Sequence, residues 1–406
     1  MLSQVFYRWE RKLASVDRNR MVRPFEWGLD WIPDSGLSAH QDASLVMQDY
    51  VAGVMKDSDA WYAVEPARQY GTAPLPRGAE PGERMVTFDS AYTTPHPENN
   101  TVYTRYFPAP HLVSHPSSLS PNSRAGHPAW LRCSSLKYSR YSRSSRLASR
   151  APRSGTSATN HWDGTLAEPD GRSAPRRAVV VMAQWNADED GHVGLCRLLN
   201  RFGISALRLS LPYHDRRKPP ELARADYIVS SNVGRTLQVC RQAVLDAKRA
   251  IAWLHQQGYH RIGMLGTSIG SCLAMLTGAH EPLVNAMALN HVSPWFADVI
   301  WEGLSTGHVR AGLEDHISLT LLRDLWGPIS PQSYVDKIGR RPSLLVYALF
   351  DLSFPLHLSR DVVRAYRTRN IPAEVRVLPC GHYTTGIAPF KYLDGYYLAS
   401  FLRRRL

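Results

Sequence analysis

Arg261-Ile262-Gly263-Met264-Leu265-Gly266-Thr267-Ser268-Ile269-Gly270 is the stretch whose reading decides the fold. Arg261 to Leu265 reads as a short buried strand, and a helix starts just past Ser268. Between them, Gly266-Thr267-Ser268-Ile269-Gly270 fits the pattern G-x-S-x-G. A strand-to-helix turn this sharp strains the serine backbone and raises its hydroxyl above the sheet. The small residues two before and two after let neighbouring backbones approach. The helix N-terminus adds partial positive charge where an oxyanion would form. The pattern alone arises by chance; its place between a strand and a helix makes it specific. The plain alternative for Ser268 is a helix cap.

Outward from this turn, strands and helices alternate. Ala178-Val-Val-Val-Met-Ala is a continuous apolar run, as a parallel strand covered on both faces requires. Residues 188–202 follow as a helix with Leu195, Leu198, Leu199 and Phe202 inward, ended by Gly203. Ser205 to Leu211 is the next strand. Asn232 caps a long helix carrying Val233, Leu237, Cys240, Val244, Ala247, Ile251 and Leu254 on one face. Ala286 to Leu289, Ser343 to Ala348 and Glu374 to Leu378 are further strands, and Tyr392 to Arg405 a last helix. The order implies a mostly parallel sheet with helices on both faces and right-handed crossovers.

A serine hydroxyl is a weak nucleophile alone; it needs a base, and the base needs an orienting carboxylate. Gly381-His382-Tyr383 follows the last strand. Asp351 follows the strand at Ser343 to Ala348, with Pro355 four residues on and a helix after it. The chain order Ser268, Asp351, His382 is the one expected for a single fold type. His382 could instead be a surface-loop histidine and Asp351 a helix cap, with Asp298 and Asp361 as lesser rivals.

These three slots make residues 176–406 resemble the α/β-hydrolase superfamily, with serine esterases and dienelactone-hydrolase-like proteins the nearest subgroups. The resemblance implies Ser268 as nucleophile, His382 as general base then acid, and Asp351 as its orienter. It implies one oxyanion donor in the Ile269 N–H. The second would come from Gln184-Trp185-Asn186, with the Trp185 backbone favoured and Asn186 as the alternative; this chain lacks the common His-Gly pattern there. His291-Val-Ser-Pro-Trp295 follows the strand at Ala286 to Leu289. His291, Trp295 and Gln184 are candidate substrate contacts, although a satisfied loop histidine is the simpler account of His291. The apolar helical stretch 294–335 stands where a cap sits, and a plain helix pair explains it equally well.

Upstream, residues 1–84 read as a mainly helical extension. Leu45, Val46, Tyr50, Val51, Val54 and Met55 lie on one face there. Residues 85–110 carry two strands, Met85 to Asp89 and Thr101 to Phe107. Residues 111–175 form a basic Ser/Arg-rich insertion, expected to be disordered because it has no apolar period. The simplest account is a solvated insertion, since low-complexity composition specifies no partner; a basic arm for RNA or an anionic membrane is a functional alternative, and an alternate reading frame another origin. The chain carries a net charge of +13, and residues 99–162 contain eight Arg, one Lys and no acid. The rest is close to ordinary in charge, so no nucleic-acid surface is expected. Apolar residues make up 44% of the 406 residues, enough for a sizeable core and incompatible with a fibrous chain. No apolar run is long enough to span a membrane, and the N-terminus lacks an apolar signal core. Five scattered cysteines form no CxxC pair, which points to the reducing cytoplasm.

The expectation is a serine hydrolase acting on a small-molecule carboxylic ester through an acyl-enzyme, with no metal or organic cofactor. The rivals are peptidase, thioesterase or C–C hydrolase chemistry on the same triad, or a degenerate hydrolase used for binding.

Overall fold

The apolar run at Ala178 to Met182 becomes a central strand because it must be covered on both faces. The computed structural model describes residues 2–16, 19–33, 42–75, 79–110 and 175–406; the Ser/Arg-rich insertion, apart from residue 175, lies outside the described residues. The strands are β1 (Gly71–Pro74), β2 (Arg84–Asp89), β3 (Thr101–Phe107), β4 (Arg177–Met182), β5 (Ser205–Leu209), β6 (Arg261–Thr267), β7 (Val284–Asn290), β8 (Ser343–Ala348) and β9 (Ala373–Leu378). They form one sheet in the order β1-β2-β3-β5-β4-β6-β7-β8-β9. β1, β2, β3 and β5 pair antiparallel; from β5 through β4 to β9 every pairing is parallel. The mostly parallel sheet with helices on both faces is therefore the observed architecture.

Strand alternation divides the core in two. Ala178, Val180 and Met182 face one side, with Leu237, Val244 and Ile251 of the long helix Val233–Gln256 and Leu273 and Leu276 of the helix Ile269–His280. Val179 and Val181 face the other side, with Cys196 and Leu199 of the helix Val193–Arg201 and Leu398, Phe401 and Leu402 of the C-terminal helix Phe390–Arg405. Asn232 caps the long helix by accepting from the Arg235 N–H. The helix Leu356–Thr368 packs Leu358, Val362 and Tyr366 into the first side.

Three details differ from the pattern reading. β1 has no apolar alternation and is exposed along its whole length, so only pairing to β2 reveals it. The helix expected at 188–202 starts at Val193. Asp188 Oδ1 accepts from the N–H groups of Asp190 and Gly191, and this local turn displaces the first helical turn. In the helix Ala43–Lys56 the buried residues are Met47, Val51 and Val54, while Leu45 and Met55 are exposed.

The stretch 294–335 contains the helices Phe296–Glu302, Gly307–Ala311 and Leu319–Leu325. Phe296, Ile300, Leu322, Leu325 and Trp326 are buried in the same core as the long helix. Among the described residues, no helix is long and apolar enough to cross a membrane.

Candidate active site

The turn after β6 is built by two glycines. A Cβ at Gly266 would lie 2.1 Å from the Gly270 carbonyl oxygen, and one at Gly270 would lie 2.2 Å from that of Met182. Both positions exclude any side chain, because the obstruction is backbone. Ser268 between them takes φ 58° and ψ −125°, a conformation costly for a residue with a Cβ. Its N–H donates to the Asn290 carbonyl at 2.8 Å, fixing the turn to the end of β7.

Ser268 Oγ lies 3.1 Å from His382 Nε2, and His382 Nδ1 lies 2.9 Å from Asp351 Oδ2. Asp351 is buried and accepts four hydrogen bonds. Oδ1 takes the N–H groups of Ser353 and Phe354, at 2.8 and 2.7 Å. Oδ2 takes His382 Nδ1 and, at 2.8 Å, His291 Nδ1. A carboxylate can only accept, so both histidines carry their proton on Nδ1. His382 Nε2 is thereby left as the acceptor facing the Ser268 hydroxyl. Phe354 stacks on the His382 ring, 5.4 Å between centroids and 8° between planes.

The electrostatics agree with this assignment. Burial alone would raise the Asp351 carboxyl, yet the charge of His382 and the hydrogen bonds from His291 and His382 hold it well below the usual carboxylate range. Burial alone would lower His382, but the charge and hydrogen bond of Asp351, with the charge of Glu10, raise it above an ordinary histidine. Burial lowers His291, whose Nε2 is enclosed without a partner among the described residues. His291, Asp351 and His382 also bring their donor atoms within 4.8 Å of one another, close enough for a metal ion. Their Nδ1 atoms are already committed to Asp351 Oδ2, so the cluster reads as a hydrogen-bond chain.

Ser268 and His382 line a cavity of about 860 Å³. One wall carries Leu195 and Leu198 of the helix Val193–Arg201 and Phe202 that caps its end, and the other Tyr392, Gly395 and Tyr396 of the C-terminal helix. Three of the four residues expected to close the core behind that first helix thus face the cavity, and Leu199 alone is fully buried.

Solved structures share this arrangement of sheet and helices. An acetyl xylan esterase from Paenibacillus sp. R4 superposes with a TM-score of 0.55 at 14% identity, covering 89% of this chain and 98% of its own. The chain is an α/β-hydrolase-fold protein. Acetyl xylan esterase 1 from Thermoanaerobacterium sp. JW/SL YS485 gives a TM-score of 0.52 at 12% identity, over 97% of this chain and 98% of that one. The acylaminoacyl peptidase of Pyrococcus horikoshii matches at a TM-score of 0.47 and 13% identity over 57% of this chain; the match spans only 38% of the peptidase. At these identities the likeness is one of fold. The profile of a family described as alpha/beta hydrolase domain containing 18 matches residues 194–312. No curated protein matches in sequence.

Within the α/β-hydrolase fold, the remaining candidates separate by geometry. Gln184, Trp185, Asn186 and His291 line the cavity. Trp295 does not: it precedes the helix Phe296–Glu302, with its N–H on Ser293 Oγ, and that helix turns its apolar residues into the core. Asn186 is engaged through its backbone N–H and its Oδ1. Its N–H donates to His214 Nε2 at 2.9 Å, and its Oδ1 accepts from the Ala225 N–H. The Trp185 indole donates to the Ala225 carbonyl and stacks on His308, which pins the ring. Of the rival acids, Asp298 is paired with Arg323 and Asp361 with Arg364.

Sequence reasoning passed over Phe354, Asn290, Asp394 and Glu10. Asp394 lines the cavity and accepts from Asn290 Nδ2 at 2.9 Å. Their sequence separations carry no periodic signal. Only Asn290, the residue before His291, and Phe354, three residues past Asp351, stood near enough to a candidate to be found.

Proposed function

We propose that the chain is a serine hydrolase that cleaves a carboxylic ester through an acyl-enzyme. The observation that carries this reading is the unbroken chain Ser268–His382–Asp351, opening on a cavity beside a strained, glycine-flanked serine. Ser268 Oγ attacks the ester carbonyl carbon while its proton passes to His382 Nε2. The carbonyl electron pair moves onto oxygen. When the tetrahedral adduct collapses, the bond to the leaving alkoxy oxygen breaks and that oxygen takes the proton from His382. A water molecule then attacks the acyl carbon, giving its proton to His382. Collapse returns this proton to Ser268 Oγ and releases the carboxylic acid. Asp351 stays ionised throughout and stabilises the imidazolium.

The developing oxyanion needs donors, and the N–H groups of Ile269 and Trp185 fit. The Ile269 N–H belongs to the first turn of its helix, where no intrahelical acceptor exists. Among the described residues, neither N–H has a hydrogen-bond acceptor. Asn186 N–H is withdrawn from this role by His214. Burial lowers His214 to about 4, and its Nδ1 lies 2.9 Å from the Pro212 carbonyl, so its Nε2 remains an acceptor at neutral pH. Leu195, Leu198, Phe202, Tyr392 and Tyr396 would hold the apolar part of the ester.

The test is labelling with a fluorophosphonate, read by intact mass. Wild type is expected to gain one adduct and Ser268→Ala none. A folded wild type that gains none would defeat the proposal. p-Nitrophenyl esters compared with the matching thioesters and anilides then define the bond: turnover confined to thioesters or anilides would replace the ester reading.

A further inference from the structure

The N-terminal helix Leu2–Ala14 reaches the turns that carry the base and its acid. Glu10 in that helix is completely buried. Its carboxylate accepts from the N–H of Tyr383 at 2.9 Å, the N–H of Thr384 at 2.9 Å and the Thr384 hydroxyl at 2.8 Å. The Thr384 oxygen in turn accepts from the Gly381 N–H at 2.7 Å. One carboxylate therefore ties down the backbone on both sides of His382. Gly381 makes room for it: a Cβ there would lie 2.3 Å from Glu10 Cδ.

A second contact reaches the acid. Phe6 stacks on Phe350, the residue before Asp351, with centroids 4.7 Å apart and planes 11° apart. The Phe350 N–H donates to the Cys380 carbonyl at 2.9 Å, joining the acid turn to the histidine turn. Beyond the helix, Arg20 donates to the Tyr383 hydroxyl at 2.8 Å.

We propose that the helix Leu2–Ala14 is a working part of the catalytic site and that Glu10 is a positioning residue for His382. The proposal rests on the hydrolase reading given above. A helix serving only to cover the core would bury apolar side chains. This one also buries a charge, and all three of its hydrogen bonds go to the two residues after the base. Burying a carboxylate is costly unless its acceptor sites are filled, so the Tyr383–Thr384 turn and Glu10 stabilise each other only in this docked geometry. Besides Ser268 and Phe354, the titratable and charged groups around His382 are Asp351, His291, Tyr383 and Glu10.

The experiment compares wild type with the isosteric Glu10→Gln, with Glu10→Asp as the charge-keeping variant. Loosening the base by a fraction of an ångström should slow fluorophosphonate labelling about 10- to 100-fold, with probe affinity little changed. Removing the negative charge should move the His382 titration, followed by its ring proton signals, to lower pH. Glu10→Asp should keep the titration near its wild-type position. A merely structural role would lower thermal stability and leave the titration in place. Hydrogen exchange in wild type supplies an arm that needs no variant. The amides of Tyr383 and Thr384 should be strongly protected, and exchange at open-loop rates would overturn the proposal. So would a folded Glu10→Gln with unchanged titration and labelling rate. Absence of labelling in wild type would defeat the hydrolase reading alone, since exchange and titration still decide the role of Glu10.

Discussion

At the scale of single residues, the site divides into groups whose roles follow from local chemistry and groups that only the folded chain explains. Ser268, Asp351 and His382 were legible because each sits beside a strand end with its own signature: a glycine-flanked serine, an acid before a proline-started helix, a Gly-His after the last strand. His291 also follows a strand end and was a candidate substrate contact, but its bond to Asp351 carries no mark in the sequence, and neither does Glu10, since their partners are a side chain and backbone amides far away in sequence. Asp394 is of the same kind and makes its own prediction. Burial pushes its carboxyl up to about 7 from an ordinary 3.8, against the lowering effect of its Asn290 hydrogen bond. The folded protein holds this proton more tightly than the unfolded chain. Its contribution is therefore intact below about pH 4, is lost as pH rises towards 7, and is constant above. Asp394→Asn carries no proton to lose. Its stability relative to wild type should rise between pH 4 and 7 and then level, by at most about 4 kcal/mol. Urea unfolding at pH 4, 6 and 8 reads this difference, and a pH-independent offset would contradict it.

At the scale of elements, the strands with both faces covered announced themselves and the edge did not. β4 reads as an apolar run because residues pack on both of its faces, whereas β1 is solvated and specified by pairing to β2. The helix Val193–Arg201 shows a subtler limit. Its apolar period was visible, but a period cannot say whether an apolar face meets a core or a cavity. Here Leu195, Leu198 and Phe202 meet the cavity, across from Gly395 on the C-terminal helix. The stretch 294–335, placed where a cap would stand, contributes only Ser305 to that lining. The groove between the two helices should thus govern the length of the apolar group accepted. A Cβ at Gly395 would meet only Leu198 Cδ2, at 3.4 Å, so a larger side chain there projects into the groove without striking backbone. Gly395→Leu should shift the preferred p-nitrophenyl ester to a shorter chain. Each methylene excluded from the groove should lower kcat/KM about fourfold, following ~0.8 kcal/mol per buried CH₂. An unchanged chain-length profile in a stable variant would move the apolar subsite elsewhere.

At the scale of the whole molecule, the question is how a fold interrupted between β3 and β4 holds together. The sheet register answers it. Phe107 at the end of β3 pairs with Ala206 of β5, and Ala206 pairs with Val179 of β4. The chain therefore leaves β3 and re-enters at β4 only two strand spacings away, about 10 Å. A handful of residues spans that distance, since an extended chain covers about 3.3 Å per residue. Closure of the sheet thus needs none of the length between residues 113 and 174. The unit formed by Met1–Leu112 and Pro175–Leu406 contains the complete sheet and all of Ser268, Asp351, His382, His291 and Glu10. Replacing residues 113–174 by a flexible Gly-Ser linker of about eight residues should preserve cooperative unfolding and the rate of Ser268 labelling. Lengthening such a linker costs little, because closure entropy grows only with the logarithm of its length. Loss of labelling in a cooperatively folded excision variant would show that the removed residues supply part of the site, and the boundary drawn at residues 112 and 175 would then have to move.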